Sequence, residues 1–292
     1  IGGGDLDLVV LGTPHDGHCP QALAAFEKGL HVVTDKIMCL SVAEADAMIG
    51  ASKEAGKLLS VFHNRRWDSD FLTVLNVLEQ GLIGDPVVIE SSVVRGGPDT
   101  SPAPPREERT WRARADKGGG PFRDWGAHLM DQALILGGGS PISVFCELEH
   151  RRPGLDVETL ATCTLLFPGG LRVRVEAGGH SWIPRPRWYV QGTQGTLVME
   201  GLDPQEDWLK KGEIVSGTDR AKFPGVHSGF KTAAGSFSLD CIPGAYASFY
   251  ANIADVLLKG APLAVTPESC REVQRVYEAA FKSVKSGQVE RL

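Results

Sequence analysis

The chain has 292 residues, of which 42% are hydrophobic and 23% are charged, a balance typical of a globular protein with a substantial core. Its formal net charge of −6 argues against a nucleic-acid partner, because phosphate binding requires a basic surface. No run approaches the roughly 20 apolar residues of a membrane helix and no signal-like segment is visible, so we predict a cytoplasmic protein without a membrane partner.

The first part of the chain alternates short apolar runs with amphipathic segments. Three runs are predicted to be strands, because they are short, apolar and followed by turn or polar residues. Two predicted helices separate them, and a glycine closes each helix. This alternation is typical of a parallel sheet with crossover helices. The predicted strands are residues 6–11, 31–34 and 58–63, and the predicted helices are residues 19–28 and 43–55.

The pattern changes after Trp67. One helix is predicted over residues 68–80, and six strand-like runs follow. Runs such as residues 171–177 alternate apolar and charged side chains, which indicates one buried and one exposed face. Tight turns join neighbouring runs, so we predict a second, large and mostly antiparallel sheet, with a domain boundary near residues 63–67. The six runs are residues 87–94, 144–149, 160–167, 171–177, 188–191 and 197–200.

Two helices are predicted near the end of the chain. One covers residues 246–259, and the other begins with Thr266 as N-cap and Pro267 as its first helical residue. Between the last strand and these helices, residues 205–230 are polar and are predicted to be irregular. The aromatic residues expected to serve packing rather than chemistry are Tyr246, Phe249 and Tyr250.

The six cysteines form no Cys-x-x-Cys pair and no zinc-binding spacing. We therefore interpret them as free thiols in a reducing compartment. His15 and His18 have a spacing compatible with a metal, but no carboxylate or cysteine completes a site nearby. Polar packing at a helix start is the favoured interpretation, and no metal site is predicted.

The first candidate for ligand binding is the segment Gly12-Thr13-Pro14-His15, which follows the first predicted strand. Ligands of open parallel sheets lie beyond the carboxyl ends of the strands, and small residues there let the backbone approach a cofactor. A plain strand-to-helix turn is the alternative.

Asp35 and Lys36 follow the next strand, and Lys36 should face the same crevice as Thr13. Its ammonium could donate a hydrogen bond to a substrate oxygen and take part in proton transfer. A solvated surface lysine is the alternative.

A third candidate lies in the segment 118–131, where three glycines precede a predicted helix. Asp124, His128 and Asp131 are spaced by four and three residues, which places them on one helix face. A carboxylate one turn from an imidazole can fix its tautomer and raise its basicity. The alternative is a capping aspartate with a satisfied, half-buried histidine. The opposite face, predicted to pack in the core, carries Trp125, Leu129, Ala133 and Leu136.

Two pairs of neighbouring residues complete the set of candidate ligand-binding residues. Residues 64–67 leave the third strand at the same sheet edge, and we expect Arg66 to reach the crevice and Arg65 to lie at the domain interface. Trp111 and Arg112 could cover a flat ring or pair with a phosphate. Interface packing is the alternative for both pairs.

Several motifs follow one another along the chain: residues 7–14, 29–36, 64–68 and 81–86, then three glycines and Asp124-x-Gly126-x-His128. Their order and spacing resemble the Gfo/Idh/MocA oxidoreductases, such as glucose–fructose oxidoreductase and inositol dehydrogenase. The resemblance covers nearly the whole chain. It implies an α/β protein in which a Rossmann parallel sheet precedes an α/β domain with a large, mostly antiparallel sheet.

The resemblance also implies an activity. It implies hydride transfer between NAD or NADP and a carbinol carbon of a sugar or cyclic polyol, in a homo-oligomer that is a dimer or tetramer. Residues 201–206 look like those of members acting on inositols. The catalytic residues implied are Lys36, Asp124 and His128. The cofactor-binding residues implied are Gly12, Thr13, Pro14, His15, His18, Asp35, Lys36, Arg66, Trp111 and Arg112.

The sequence departs from the family pattern in two places. The usual Glu-Lys-Pro is Asp35-Lys36-Ile37, and Gly2-Gly3-Gly4 lacks the strand and helix of a dinucleotide fingerprint. The strand at residues 6–11 matches the fourth Rossmann strand, so we expect the first three to be missing. Residues 1–63 would then be the C-terminal part of a dinucleotide-binding domain, and residues 64–292 the substrate-binding and oligomerisation domain. A non-catalytic sugar-binding or regulatory relative, or a fragment unable to bind cofactor, is the alternative.

Overall fold

Three parallel strands form a small sheet in the computed structural model, which describes residues 6–97, 99–212 and 227–292. The elements of this part are β1 (Leu8–Leu11), α1 (His18–Glu27), β2 (His31–Thr34), α2 (Val42–Ala55) and β3 (Leu59–Val61). The strands lie in the order β1-β2-β3, with Leu8 opposite His31. Their carboxyl ends therefore meet at one edge, which confirms the predicted Rossmann-like sheet.

Local sequence explains this part of the fold. Val32 and Thr34 of β2 are fully buried, as expected for a strand in a parallel sheet that helices cover. α2 begins after Ser41, whose hydroxyl accepts a hydrogen bond from the Glu44 backbone N–H. It ends at Gly56, which has a φ of 60°, a conformation that glycine adopts without a steric penalty.

The second sheet has nine strands in the order β11-β10-β9-β8-β4-β7-β6-β5-β12. Among the described residues, neighbouring strands of this sheet are antiparallel, except that β4 pairs with β7 in parallel. The prediction of a large, mostly antiparallel sheet is therefore confirmed. The strands are β4 (Pro86–Val94), β5 (Ser143–Glu149), β6 (Leu160–Leu166), β7 (Arg172–Gly178), β8 (Trp188–Gly192), β9 (Gly195–Glu200), β10 (His227–Thr232), β11 (Gly235–Leu239) and β12 (Glu290–Arg291).

The prediction that residues 205–230 are irregular is wrong at both ends of that stretch. The helix α6 (Gln205–Lys210) begins it, and β10 pairs with β9 and β11 at its other end. The pattern failed because β10 and β11 carry mostly small and polar residues, and their stacked rings, Phe230 and Phe237, are one cross-strand pair. Residues 213–226, like the glycines at positions 2–4, lie outside the described residues.

Helices pack on the large sheet and enclose the main core. Of these, α8 lies beside β5, and α5 lies beside β7. α8 begins as predicted, because the Thr266 hydroxyl accepts a hydrogen bond from the Ser269 N–H and Pro267 follows the cap. Within the described residues, no helix is long and apolar enough to cross a bilayer. The helices that pack on the large sheet are α3 (Ser69–Glu79), α4 (Pro121–Asp124), α5 (Gly126–Leu136) and α8 (Pro267–Ser286), whereas α7 (Ala247–Lys259) packs on the core of the small sheet.

The chain returns to the small sheet before it ends. Phe249 and Ile253 of α7 and Cys270 of α8 are buried in the core around β1, β2 and β3. We propose residues 1–63 and 64–292 as the domain organisation, with this return as a contact that joins the two parts.

Candidate active site

A cavity of about 750 Å³ lies where β2 and β3 end and the loop before α5 begins. Lys36, Asp124 and His128 all line it. They come from two distant parts of the chain, since Lys36 follows the parallel sheet and the other two lie on α4 and α5. The structure thus brings the three residues with implied catalytic roles to one concave surface.

Lys36 and Asp124 form a half-buried ion pair in this cavity, with side chains that are 13% and 20% exposed. The Lys36 Nζ also donates a hydrogen bond of 2.9 Å to the Asp124 carbonyl oxygen. Burial alone would raise the pKa of Asp124, but the Lys36 ammonium, together with Arg112, outweighs burial and lowers that pKa. Asp124 is therefore an ionised acceptor that holds Lys36. The peptide bond after Lys36 is cis.

His128 is a buried imidazole at the wall of the same cavity. Its side chain is buried, and its Nδ1 has no hydrogen-bond partner among the residues that the structure describes. Burial, with added repulsion from Lys36 and Arg65, lowers the pKa of His128 well below the ordinary value of 6.5. The neutral ring can therefore accept a proton, and Nε2 is the nitrogen left to meet a ligand, since Nδ1 is enclosed.

These groups lie on two consecutive helices rather than on the single helix that the sequence predicts. α4 ends at Asp124 and α5 starts at Gly126. Gly120, which precedes α4, has a φ of 102°, and a Cβ there would lie 2.3 Å from a Glu158 carboxylate oxygen. Trp125 between them keeps a helical φ of −76° and ψ of −39°, yet Asp124 pairs with Lys36 instead of orienting His128, the role expected from their spacing.

Trp125 packs against the main core, as predicted, and it also borders the cavity. Leu129 and Ala133 are buried as predicted, but Trp125 is half-buried and lines the cavity. The guanidinium carbons of Arg65 and Arg95 lie 4.2 and 4.9 Å from its ring centroid. These cation–π contacts hold the indole where it borders the cavity.

The two neighbouring arginines do not lie where they were predicted. Arg65 lines the cavity and is held by Asp68 at 3.2 Å, by the Tyr246 hydroxyl at 3.0 Å and by Glu206. Burial would lower the pKa of Arg65, but Asp68 outweighs burial and raises it, so the guanidinium stays charged. Tyr246, expected to serve only packing, lines the cavity as well.

Arg66 does not line this cavity, which corrects the expectation that it reaches the crevice. Its Nε and Nη2 donate hydrogen bonds of 2.8 and 2.6 Å to the two carboxylate oxygens of Asp131. A third hydrogen bond, of 2.7 Å, goes from Nη1 to the Ala264 carbonyl oxygen. The bidentate pair ties the turn after β3 to α5, and a hydrogen bond of 3.1 Å from Nη2 to the Ser269 hydroxyl ties it to α8.

Replacing Asp131 by asparagine should lower the free energy of unfolding by about 3 kcal/mol, because it leaves the Arg66 charge without its counterion in a buried place. The Asp131 side chain is 3% exposed and that of Arg66 is 13% exposed. Urea unfolding measures the change. Asp46→Asn is the matched control, since Asp46 forms an exposed pair with Arg271 and should change stability little. Equal effects in both variants would contradict the assignment.

The residues after β1 do not line the cavity, but they hold the segment that carries Lys36. The Thr13 hydroxyl donates a hydrogen bond of 3.0 Å to Gln21. His18 is fully buried, with Nδ1 2.8 Å from the Ile37 carbonyl oxygen and Nε2 3.1 Å from that of Thr13. His18 therefore fastens the segment that carries Lys36 to the end of β1. The structure places Gly12 and Pro14 in the same turn, outside the cavity wall.

His15 lies between this turn and the loop before α4. Its Nδ1 is 2.8 Å from the Gly118 carbonyl oxygen, and its ring centroid is 4.6 Å from that of Trp111. Burial lowers the pKa of His15 to about 4, so the ring is neutral, and its buried Nε2 has no partner within the described part of the chain. Within the described residues, no cluster of histidine, cysteine and carboxylate side chains could hold a metal ion.

Arg112 links this region to the cavity that Lys36, Asp124 and His128 line (the active cavity). It lines the cavity, its Nε lies 3.3 Å from Asp124, and its guanidinium carbon lies 4.3 Å from the Trp111 ring centroid. Asp35 lines the cavity too, and accepts a hydrogen bond of 2.8 Å from the Lys36 N–H. Of the ten positions with an implied cofactor role, Asp35, Lys36 and Arg112 reach the cavity wall.

The chain is similar to known oxidoreductases over nearly its whole length. The family model "Oxidoreductase family, NAD-binding Rossmann fold" matches residues 2–63, and "GFO/IDH/MocA C-terminal domain" matches residues 71–198. The oxidoreductase YdgJ of Escherichia coli is 33% identical over 96% of this chain and 80% of its own length. The scyllo-inositol 2-dehydrogenase (NADP(+)) IolW of Bacillus subtilis is 30% identical over 96% of this chain and 77% of its own. The solved structure of the oxidoreductase yvaA from Bacillus subtilis is 30% identical, with a TM-score of 0.88, over 98% of this chain and 81% of its own.

Proposed function

This chain belongs to the Gfo/Idh/MocA family of NAD-binding oxidoreductases, and we propose that it transfers a hydride between NAD or NADP and a carbinol carbon of a sugar or cyclic polyol. The observation that carries the proposal is the convergence of Lys36, Asp124 and His128 on one cavity at the carboxyl edge of the parallel sheet. The name of the relative IolW supports a cyclic polyol as substrate.

His128 is assigned as the general base. A substrate hydroxyl in the cavity would give its proton to Nε2, since the imidazole is neutral and Nδ1 is enclosed. The Lys36 ammonium would donate a hydrogen bond to the same oxygen and stabilise the negative charge that develops on it. Asp124 acts as a positioning residue, because its carboxylate and carbonyl oxygen both hold the Lys36 Nζ.

The cavity wall suits a polyhydroxylated ring. Phe62 and Tyr250 place their rings 5.4 Å apart at one side and offer an apolar surface. Asn64 and Glu206 line the cavity and present polar atoms, which could bind the remaining hydroxyl groups. An aromatic surface combined with a few polar groups favours a sugar or polyol over a purely apolar substrate.

The residues beside Lys36 fit a nicotinamide cofactor. His15 Nε2 is a buried atom without a partner among the described residues, and an amide or hydroxyl donor of a bound group would satisfy it. Trp111 and Arg112 lie next to it and could contact a flat ring and a phosphate. When bound, the nicotinamide supplies the acceptor for the hydride that leaves the carbinol carbon.

The direct test is transfer of a label. The protein is incubated with NAD⁺ or NADP⁺ and a panel of sugars and inositols deuterated at their carbinol carbons, and the nicotinamide is examined by mass spectrometry. We expect deuterium on the nicotinamide with at least one cyclic polyol or sugar. Binding of cofactor and sugar without any transfer would refute the enzymatic proposal and favour a sugar-binding relative.

A further inference from the structure

A second cavity, of about 460 Å³, lies beside the active cavity. The two share Trp125 and Arg112 as lining residues. The second cavity is formed where β4 and β7 end, so it lies on the side of Trp125 that faces the large sheet. A ligand that extends past Trp125 would enter it directly.

The two carboxylates that line the second cavity have partners other than Arg95. Arg152 pairs with Asp99 at 3.1 Å. Glu158 is buried, accepts a hydrogen bond of 2.7 Å from the Phe122 N–H, and has a pKa that burial raises. Neither carboxylate therefore neutralises Arg95, which follows β4 and lines the same cavity.

Arg95 is the cation of this cavity without an acidic partner. In the part of the chain that the structure describes, its side chain forms no ion pair or hydrogen bond, and its guanidinium carbon lies 4.9 Å from the Trp125 ring centroid. Stacking on an indole holds the guanidinium plane and leaves the N–H groups at its edge available. A carboxylate or phosphate is the group that such an edge binds in bidentate fashion.

We propose that the second cavity binds an anionic group, a carboxylate or a phosphate, of a ligand whose hydroxyl-bearing end occupies the active cavity. The preferred substrate is then an acidic sugar or polyol rather than a neutral one. This inference rests on the proposed function for its substrate, but Arg95, the residue assigned to the anion, carries no part of the hydride transfer.

The test compares matched substrates on wild-type protein and Arg95→Gln. The pairs are an aldose with its uronate and an inositol with its monophosphate, so that a carboxylate and a phosphate are tested separately. We expect the ratio of kcat/KM for the acidic substrate to that for the neutral one to fall about tenfold in Arg95→Gln, the size of one charge-assisted hydrogen bond. Arg95→Lys should restore part of the ratio, because it keeps the charge without the fork.

Arg151→Gln is the matched control. Arg151 is exposed, pairs with Glu149 at 2.7 Å and lies outside both cavities. Its substitution should leave the ratio unchanged. An equal ratio in wild-type protein and Arg95→Gln for both substrate pairs would overturn the inference.

A binding measurement separates this inference from the proposed function. Calorimetric titration with glucuronate and with inositol monophosphate should give weaker binding to Arg95→Gln than to wild-type protein, whether or not turnover occurs. Tighter binding of acids by the wild-type protein without hydride transfer would uphold the anion site and refute the enzyme. Hydride transfer with no such difference in binding would do the reverse.

Discussion

Replacing His128 by asparagine is expected to lower kcat for oxidation of the alcohol by about 10²–10⁴, the usual contribution of a positioned general base. Asparagine retains polarity at a buried site but cannot take a proton. KM should change far less, since the lost interaction develops in the transition state. Steady-state rates of nicotinamide reduction measure both constants. Near-normal turnover would refute the role of His128.

The pH dependence of the same reaction follows from the environment of His128. The base must be neutral, and its pKa is lowered well below 6.5 by burial and by the nearby charges of Lys36 and Arg65. Alcohol oxidation should therefore persist below the ordinary titration range of histidine and decline only as the pH falls through the lowered pKa. If the rate instead declined already at or above pH 6.5, and declined in the same way in His128→Asn, the titrating group would be another residue.

His150→Asn provides the control for both measurements. His150 is exposed at the end of β5 and lines neither cavity. Its loss should leave kcat and the acidic limb unchanged. If His150→Asn also lowered kcat, the effect of His128→Asn could not be ascribed to proton transfer.

Sequence patterns were sufficient where burial alone decides the structure. Residues 31–34 were predicted as a strand with the bounds found, because a short apolar run in a parallel sheet is buried on both faces. The meeting of Lys36 with Asp124 and His128 followed from the motif order that the resemblance supplied. Without that resemblance, no periodicity relates residues 36 and 128.

Positions that depend on local turn geometry could not be predicted. Arg65 and Arg66 are adjacent on a short 3-10 turn, Asn64–Trp67, where one residue decides which side chain faces the cavity. For the two arginines, the error came from assuming regular backbone at a site where the chain is irregular. Trp125 packs against the core as its helical position predicts, but its place in the cavity wall could not be predicted from one helix, because the rest of that wall comes from distant residues such as Phe62 and Tyr246.

The second large effect is expected at Lys36. Lys36→Met should lower kcat by about 10²–10⁴, because it removes the cation next to the oxygen on which negative charge develops. It also leaves Asp124 without its main partner, so the thermal midpoint of each variant must be measured beside its rate. Lys53→Met is the control, since Lys53 pairs with Glu268 at 3.0 Å on an exposed face of α2.

Asp124→Asn distinguishes stabilisation by Lys36 from a purely structural effect. The amide retains an acceptor for the Lys36 Nζ, and the Asp124 carbonyl oxygen still accepts its hydrogen bond of 2.9 Å. If Lys36 acts through its charge on the substrate oxygen, Asp124→Asn should reduce kcat much less than Lys36→Met. If the ion pair only holds α4 against the parallel sheet, the two variants should lose rate and thermal stability together, and the catalytic assignment of Lys36 would fail.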